Sequence, residues 1–304
     1  CTDGRLAPYN YASVILGTAN STIGLHKGAG DEDATIITNN SMQLGAAVYA
    51  YKGTVNIDGA QITANVADSN PAVLVNSGLV NFSAGSIAGN YVRGSLVSDV
   101  PLAGAIKLSS DGQTAATFNY DASNAADASI TGNGLLDSHS IVTNASGTNQ
   151  ILGGAIYAEQ NTNVKLNNAQ ITGNKADTAG AIYLAAGATL NQNGSTKIAE
   201  NSAYKTVGGV YGALGTVNLA GQPSITDNTV SRQKSNLVME GNLLNVTGDI
   251  DSGYVGVTST PVEGGAQFGT AKYEGSFSSL TAPQIFMNDN AWLKGSVDVQ
   301  GKLI

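Results

Sequence analysis

The sequence predicts an all-β chain wound as a single-stranded right-handed parallel β-helix, a β-solenoid with about 25 residues in each three-strand coil. Three observations carry this. A four-residue motif returns at near-constant intervals. Short segments of alternating apolar and polar residues lie between its copies. Gly, Asn, Ser and Asp separate those segments, as turns require.

The returning motif is Ile-(Thr/Ala)-x-Asn. It stands at 37–40, 62–65, 87–90, 130–133, 171–174, 198–201 and 225–228, so successive Ile residues are 25, 25, 43, 41, 27 and 27 positions apart. A second motif, Gly/Ala-aliphatic-Tyr, precedes it at 47–49, 155–157, 181–183 and 209–211, with weaker copies at 72–74 and 105–107. A third segment lies between the two, at 55–57, 80–82, 164–166 and 217–219. Three strands and three turns make one coil, and stacked coils pair their strands in parallel at roughly 4.8 Å. On this spacing about ten to twelve coils make a rod on the order of 50 Å long.

The residue choices fit. Ile, Val and Leu of each segment point inward and stack in columns, because no single coil can bury its apolar face alone. Asn40, Asn65, Asn90, Asn133, Asn174, Asn201 and Asn228 fall at one corner of successive coils. An inward amide there satisfies turn backbone groups and bonds the amides above and below. Gly permits corners with positive φ.

Residues 1–304 read as one β-helix domain. Within it, 1–34 are an atypical first coil or a continuation from upstream, 35–239 are regular coils with insertions, and 240–304 are divergent coils ending in a cap. The late strand-like stretches are 243–246, 254–257, 284–287 and 296–299. A cap is expected because an open end exposes a strand edge.

Composition narrows the class. Charged residues are only 12% and the hydrophobic fraction of 42% suffices for a core, so the chain is ordered, not disordered. The net charge of −8 and the scattered 14 Lys and Arg argue against nucleic acid and against an anionic membrane surface. Apolar runs fall far short of the ~20 residues of a membrane span. Cys1 is the one cysteine, so no intrachain disulfide forms. The chain reads as a mature or excised fragment, with Cys1 either the lipidated first residue of a lipoprotein or the end of a cut.

Gly-Gly-Ala-Ile-Tyr at 153–157, Ile-Thr-Gly-Asn at 171–174 and Ala-Gly-Ala-Ile-Tyr at 179–183 resemble the paired repeats of chlamydial polymorphic outer-membrane proteins. They resemble still more the pectate-lyase-like adhesins of gut and oral bacteria, which use Ile-Thr-x-Asn. The run 242–251, then 256–258, is similar to the segment following the repeats in those proteins. The resemblance spans roughly residues 35–275 and implies a bacterial surface protein of this fold.

Departures from the period locate candidate sites. Asn40 to Val48, Asn65 to Val73 and Asn174 to Ile182 take 8 residues, whereas Asn90 to Ile106 takes 16 and Asn133 to Ile156 takes 23. Insertions near 91–103 and 134–152 therefore leave the same corner of successive coils. A third, within 109–127, leaves another. Long loops on rigid scaffolds commonly carry function. Tyr91, Arg93, Asp99, Asp137 and His139 are the candidate ligand-binding residues there, unless the loops are merely tolerated insertions. Tyr49, Tyr157, Tyr183 and Tyr211 form a second candidate: an outward strip for stacking on sugar rings, or a ladder that only stabilises the sheet.

Catalysis finds less support. Glycoside hydrolysis needs two facing carboxylates, and lyase chemistry needs acidic calcium ligands beside a basic residue. The chain has only Arg5, Arg93 and Arg232, and no face carries a repeated Asp pair. Asp99, Asp111 and Asp137 are the carboxylates an enzyme would have to use. His26 and His139 read as surface residues. Asp31-Glu32-Asp33 lacks the spacing of a calcium loop. No metal or cofactor is expected.

The expectation is a non-enzymatic adhesin-like module, extracellular or on the bacterial surface, that holds a host or community glycan or surface protein and acts as a rigid spacer. The alternatives are a polysaccharide-degrading β-helix and an architectural unit that self-associates end to end in a fibre.

Overall fold

A computed structural model describes residues 15–27, 35–42, 46–92, 101–135, 151–240, 244–258, 270–273 and 285–289. They form a parallel β-helix with three sheet faces. The first face stacks Ile15–Gly17, Val48–Tyr51, Val73–Asn76, Ile106–Ser109, Ile156–Ala158, Ile182–Leu184, Val210–Ala213 and Leu237–Glu240 in parallel register. The second runs from Thr22–His26 through Ala116–Asp121, Thr162–Asn167, Ala188–Asn193 and Thr216–Gly221 to Leu244–Ile250 and Thr270–Tyr273. The third runs from Ile36–Thr38 through Ala128–Thr131, Gln170–Thr172, Lys197–Ala199 and Ser224–Thr226 to Tyr254–Val257 and Phe286–Asn288. Two long strands, Thr54–Thr63 and Leu79–Ala88, bend across the corner between the second and third faces. The described residues make nine turns, a height of roughly 40 Å at the spacing of paired strands.

The first turn starts earlier than the repeats imply. Ile15 pairs with Val48 and Thr22 with Thr54, so residues before 35 already hold register. Ser296 to Val299 lie outside the described residues. Thr270–Tyr273, which has no repeat signature, adds a strand.

Each face alternates buried and partly exposed residues. The inward positions build columns such as Ile37, Ile62, Ile87, Ile130, Ile171, Ile198 and Ile225, all buried. Each fully buried aliphatic side chain contributes about 1.5–3 kcal/mol before entropy is charged against it. Phe82, Phe118 and Tyr120 fill a wider section, with Phe82 edge-on to Tyr120 at 4.9 Å. The Tyr120 hydroxyl donates to the Ala128 carbonyl and accepts the Gln170 N–H at 3.1 Å, so this aromatic is buried without an orphaned polar group.

The motif glycines serve close approach more than turning. A Cβ on Gly104, Gly154 or Gly180 would lie 2.1–2.3 Å from the carbonyl oxygen of Gly154, Gly180 or Gly208 respectively, in the adjoining coil. The positive-φ role expected for glycine holds at Gly85, with φ of 107° at the bend of Leu79–Ala88.

The asparagine corner is a continuous buried ladder. The N–H and Nδ2 of Asn40, Asn65, Asn90, Asn133, Asn174 and Asn201 all donate to the Oδ1 of the next asparagine, at 2.7–3.2 Å. The second Nδ2 hydrogen reaches back to the motif Ile carbonyl of the preceding coil, as from Asn174 to Ile130 at 3.1 Å. The ladder continues past the motif. Asn228 donates to Asn236, and Asn236 donates to both carboxylate oxygens of Asp289.

Two expectations follow. Asn174→Ala leaves the Asn133 N–H and one Asn133 Nδ2 hydrogen unpaired in the interior, at about 1–3 kcal/mol each, and removes the side-chain bond to the Ile130 carbonyl. It should lower stability by at least about 2 kcal/mol in urea unfolding, against about 1 kcal/mol for Asn40→Ala, whose bonds are only partly buried. Gln192 is 2% exposed, and neither amide atom has a hydrogen-bond partner. It stands between Leu166 and Leu219 in one inward column. Gln192→Leu should therefore raise the urea midpoint at unchanged slope, by about 1–3 kcal/mol in stability.

Candidate functional site

The two insertions leave and return side by side. Tyr91 bridges to Gly134, and Gly134 to Lys175, where the segments depart. Leu102–Ala103 pairs in parallel with Ile151–Gly153 where they return, and Gly153 bridges to Ala179. Val92, Leu102, Ile151 and Ala176, with Leu135 against them, form a small satellite core beneath. Arg93, Asp99, Asp137 and His139 lie outside the described residues; Tyr91 is partly buried at the departure point.

The third insertion is two turns rather than one loop. Ser110 accepts and donates across the turn before Ala116–Asp121, and Asn124 donates to the Asp127 carboxylate in the turn after it. Asp111 sits in the first turn. The Lys52 ammonium 2.8 Å away, helped by the N–H groups of Thr114 and Gln113, holds its carboxyl well below the usual carboxylate range. A carboxyl held ionised in this way has no proton to donate near neutral pH. His26 lies on the exposed second face 3.8 Å from Asp58. Among the described residues no three His, Cys, Asp or Glu come together as a metal site. No described helix is long and apolar enough to cross a membrane.

Tyr49, Leu74, Lys107, Tyr157, Tyr183 and Tyr211 occupy one outward column of the first face. Tyr157, Tyr183 and Tyr211 stack edge to face, with centroids 5.5 and 5.4 Å apart and planes at 76° and 77°. Such pairs stabilise a sheet beyond their buried area. The strip is not uniformly open: Ala103 and Leu152 from the returning insertions cover Tyr157, which is 6% exposed. Tyr183 and Tyr211 stay partly open, and the Tyr211 hydroxyl donates to the Glu240 carboxylate. Tyr49 stands apart, 6.0 Å from Tyr51.

Two side chains that sequence reading passed over anchor the insertions. Lys107 fills the tyrosine position of a weak repeat copy and is 8% exposed. Its ammonium lies 3.0 Å from Glu159, donates to the Pro101 carbonyl at 3.2 Å and sits 5.5 Å over the Tyr157 ring. That environment pairs the charge three ways. Asp177 is buried where the second insertion returns, and it accepts the Ile151 N–H at 2.9 Å. Burial pushes its pKa up, while that bond and nearby Lys205 oppose the shift.

No family model, curated protein or solved structure matches the chain. The repeat resemblance therefore rests on the repeat residues alone.

Burial raises the phenol pKa of Tyr157, Tyr183 and Tyr211, with Glu159 or Glu240 adding to it, and lifts interior Tyr120 to about 12. The ordinary value, kept in the unfolded chain, is about 10. The folded state thus holds more protons between these values, and stability falls as pH rises through that window. For Tyr120 alone the loss is on the order of 3 kcal/mol. Alkaline titration of the phenolate band should show Tyr120, Tyr157, Tyr183 and Tyr211 ionising above the ordinary phenol value, or together with loss of the β-sheet circular dichroism signal.

Proposed function

We propose that this chain is a non-enzymatic adhesin-like module, displayed outside a bacterial cell, that holds a glycan or surface protein and serves as a rigid spacer. The observation that carries this reading is the paired return of the two insertions, Leu102–Ala103 beside Ile151–Gly153, over the tyrosine face. The two insertions thereby depart and return at adjacent positions on one side of a scaffold whose coils are locked by the asparagine ladder. Lys107 and Asp177 tie both returns to that scaffold, which favours a preorganised binding surface. The repeat resemblance to surface adhesins supports the same reading, as does the low charge. Carboxylate chemistry is disfavoured at Asp111 by its pairing with Lys52.

Purified protein should be retained by at least one member of a panel of mucin glycans and neutral and acidic polysaccharides, with no new sugar ends released, with or without calcium. Deletion of 136–150, which spares the Ile151 anchor, should weaken retention of a loop-bound ligand at least tenfold. Release of sugar ends would overturn the reading and direct attention to Asp99, Asp111 and Asp137.

A further inference from the structure

The second face carries an outward lattice that includes the middle residues of the segments at 55–57, 80–82, 164–166 and 217–219. One column runs Thr54, Leu79, Thr117, Asn163, Thr189 and Thr216; two residues along each strand, the other runs Asn56, Asn81, Asn119, Lys165, Asn191, Asn218 and Asn245. Apart from exposed Lys165, all are partly exposed. Asparagine is disfavoured in strands, yet here it recurs at one strand position. Its side chains are mutually fixed: Asn119 donates to Asn81 at 3.2 Å and Asn81 to Asn56 at 2.8 Å, while Asn245 donates to Asn218 at 2.7 Å and Asn218 to Asn191 at 2.8 Å. The middle amide of each run, Asn81 or Asn218, uses one Nδ2 hydrogen and one Oδ1 lone pair along the column, while Asn56 and Asn191 only accept and Asn119 and Asn245 only donate. The remaining hydrogens and lone pairs are left for solvent or a ligand. Lys165 divides the lattice into two runs of three asparagines.

The chemistry of the face selects its partner. Between Thr54 and Asn245 Lys165 is the sole charged residue of the two columns, so an anionic polymer finds too little positive charge to hold it. Leu79 is the sole large apolar residue, so the face lacks the apolar and aromatic centre of a protein interface. What it offers is a neutral series of hydroxyls and amides repeating at the strand spacing of roughly 4.8 Å. A linear chain of pyranose units repeats hydroxyls at a comparable interval. We propose that this face binds a neutral linear polysaccharide lying along the solenoid axis, with one run spanning roughly three sugar units, the height of three coils. The inference rests on the reading of the chain as a binding module and names its ligand class. Fixed amides lose little freedom on binding, and affinity accrues by repetition along the ligand.

The test is calorimetric titration with neutral β-linked gluco- and manno-oligosaccharides of increasing length, with oligogalacturonate as the charged comparison. Affinity for a neutral series should rise with length up to the span of one run, with two sites per chain and no comparable response to oligogalacturonate. Thr189→Lys with Thr216→Lys should remove one of the two sites. Adding Thr54→Lys and Thr117→Lys should lower affinity at least tenfold at both. Lysine already stands in this lattice at Lys165, so the fold should persist, as an unchanged circular dichroism melt would verify; the double variant serves if the quadruple one does not fold. Tyr183→Ala should leave binding intact. Failure of all neutral oligosaccharides to bind, or equal binding by parent and double variant, overturns the proposal. If acidic or branched glycans are retained and lose retention on deletion of 136–150, the adhesin reading stands and this one falls. If nothing in the wider panel is retained, both fall.

Discussion

The structure depends on one constraint: each coil must place an asparagine amide directly against the next. The ladder from Asn40 to Asn236 satisfies the corner N–H and a motif carbonyl of successive coils with a single side chain type, and Asp289 closes it. A corner without it would bury backbone groups that neither water nor a strand partner can reach. The aliphatic columns supply most of the cohesion, but they tolerate exchange: Val, Ile, Leu and Phe alternate within them. The amides tolerate none among the seven motif copies, which fixes the corner and, through it, the register of all three faces.

The ladder is indifferent to the length of chain between its members. Asn90 to Asn133 and Asn133 to Asn174 span 43 and 41 positions, yet bond with the same geometry as neighbours 25 or 27 apart. Insertions at this corner therefore cost the solenoid little, because closing a longer loop adds only slowly to its entropy. The difficulty they do create is local: two returning segments must pack on an outer face built for solvent. Lys107 and Asp177 meet it as buried charges held by backbone and carboxylate partners, and Ala103 and Leu152 turn Tyr157 from a surface residue into a covered one.

Much of this was legible in the sequence. Period-2 segments and the recurrent Asn gave the parallel β-helix, the inward columns and the ladder's seven motif members. Features lacking a repeat signature were not legible. Asn236 stands only 8 residues after Asn228, and it reaches the ladder because Thr229–Val230 folds back antiparallel on Gln233–Lys234. Asp289 belongs to a stretch where the motif has faded. Lys107 was visible as a weak tyrosine copy, but a single substitution does not reveal that its ammonium is buried. The tyrosine strip was correctly directed outward. Its partial cover depends on where inserted segments return, which spacing alone does not specify. For the candidate site, Arg93, Asp99, Asp137 and His139 lie outside the described residues, and sequence places them only at a shared corner.

The ladder also has a direction. Every asparagine from Asn40 to Asn228 gives its N–H and one amide hydrogen to the coil that follows, and Asp289 receives the last pair through Asn236. A partly wound chain that ends toward its C-terminus leaves two ladder donors unmet and one motif Ile carbonyl without its amide partner. One that ends toward its N-terminus leaves one amide hydrogen and one acceptor oxygen. Unmet donors are the costlier defect in a protein interior. The two ends of the ladder are therefore unlike in what they present to a further coil: two donors with one carbonyl toward the C-terminus, and an acceptor with one donor toward the N-terminus.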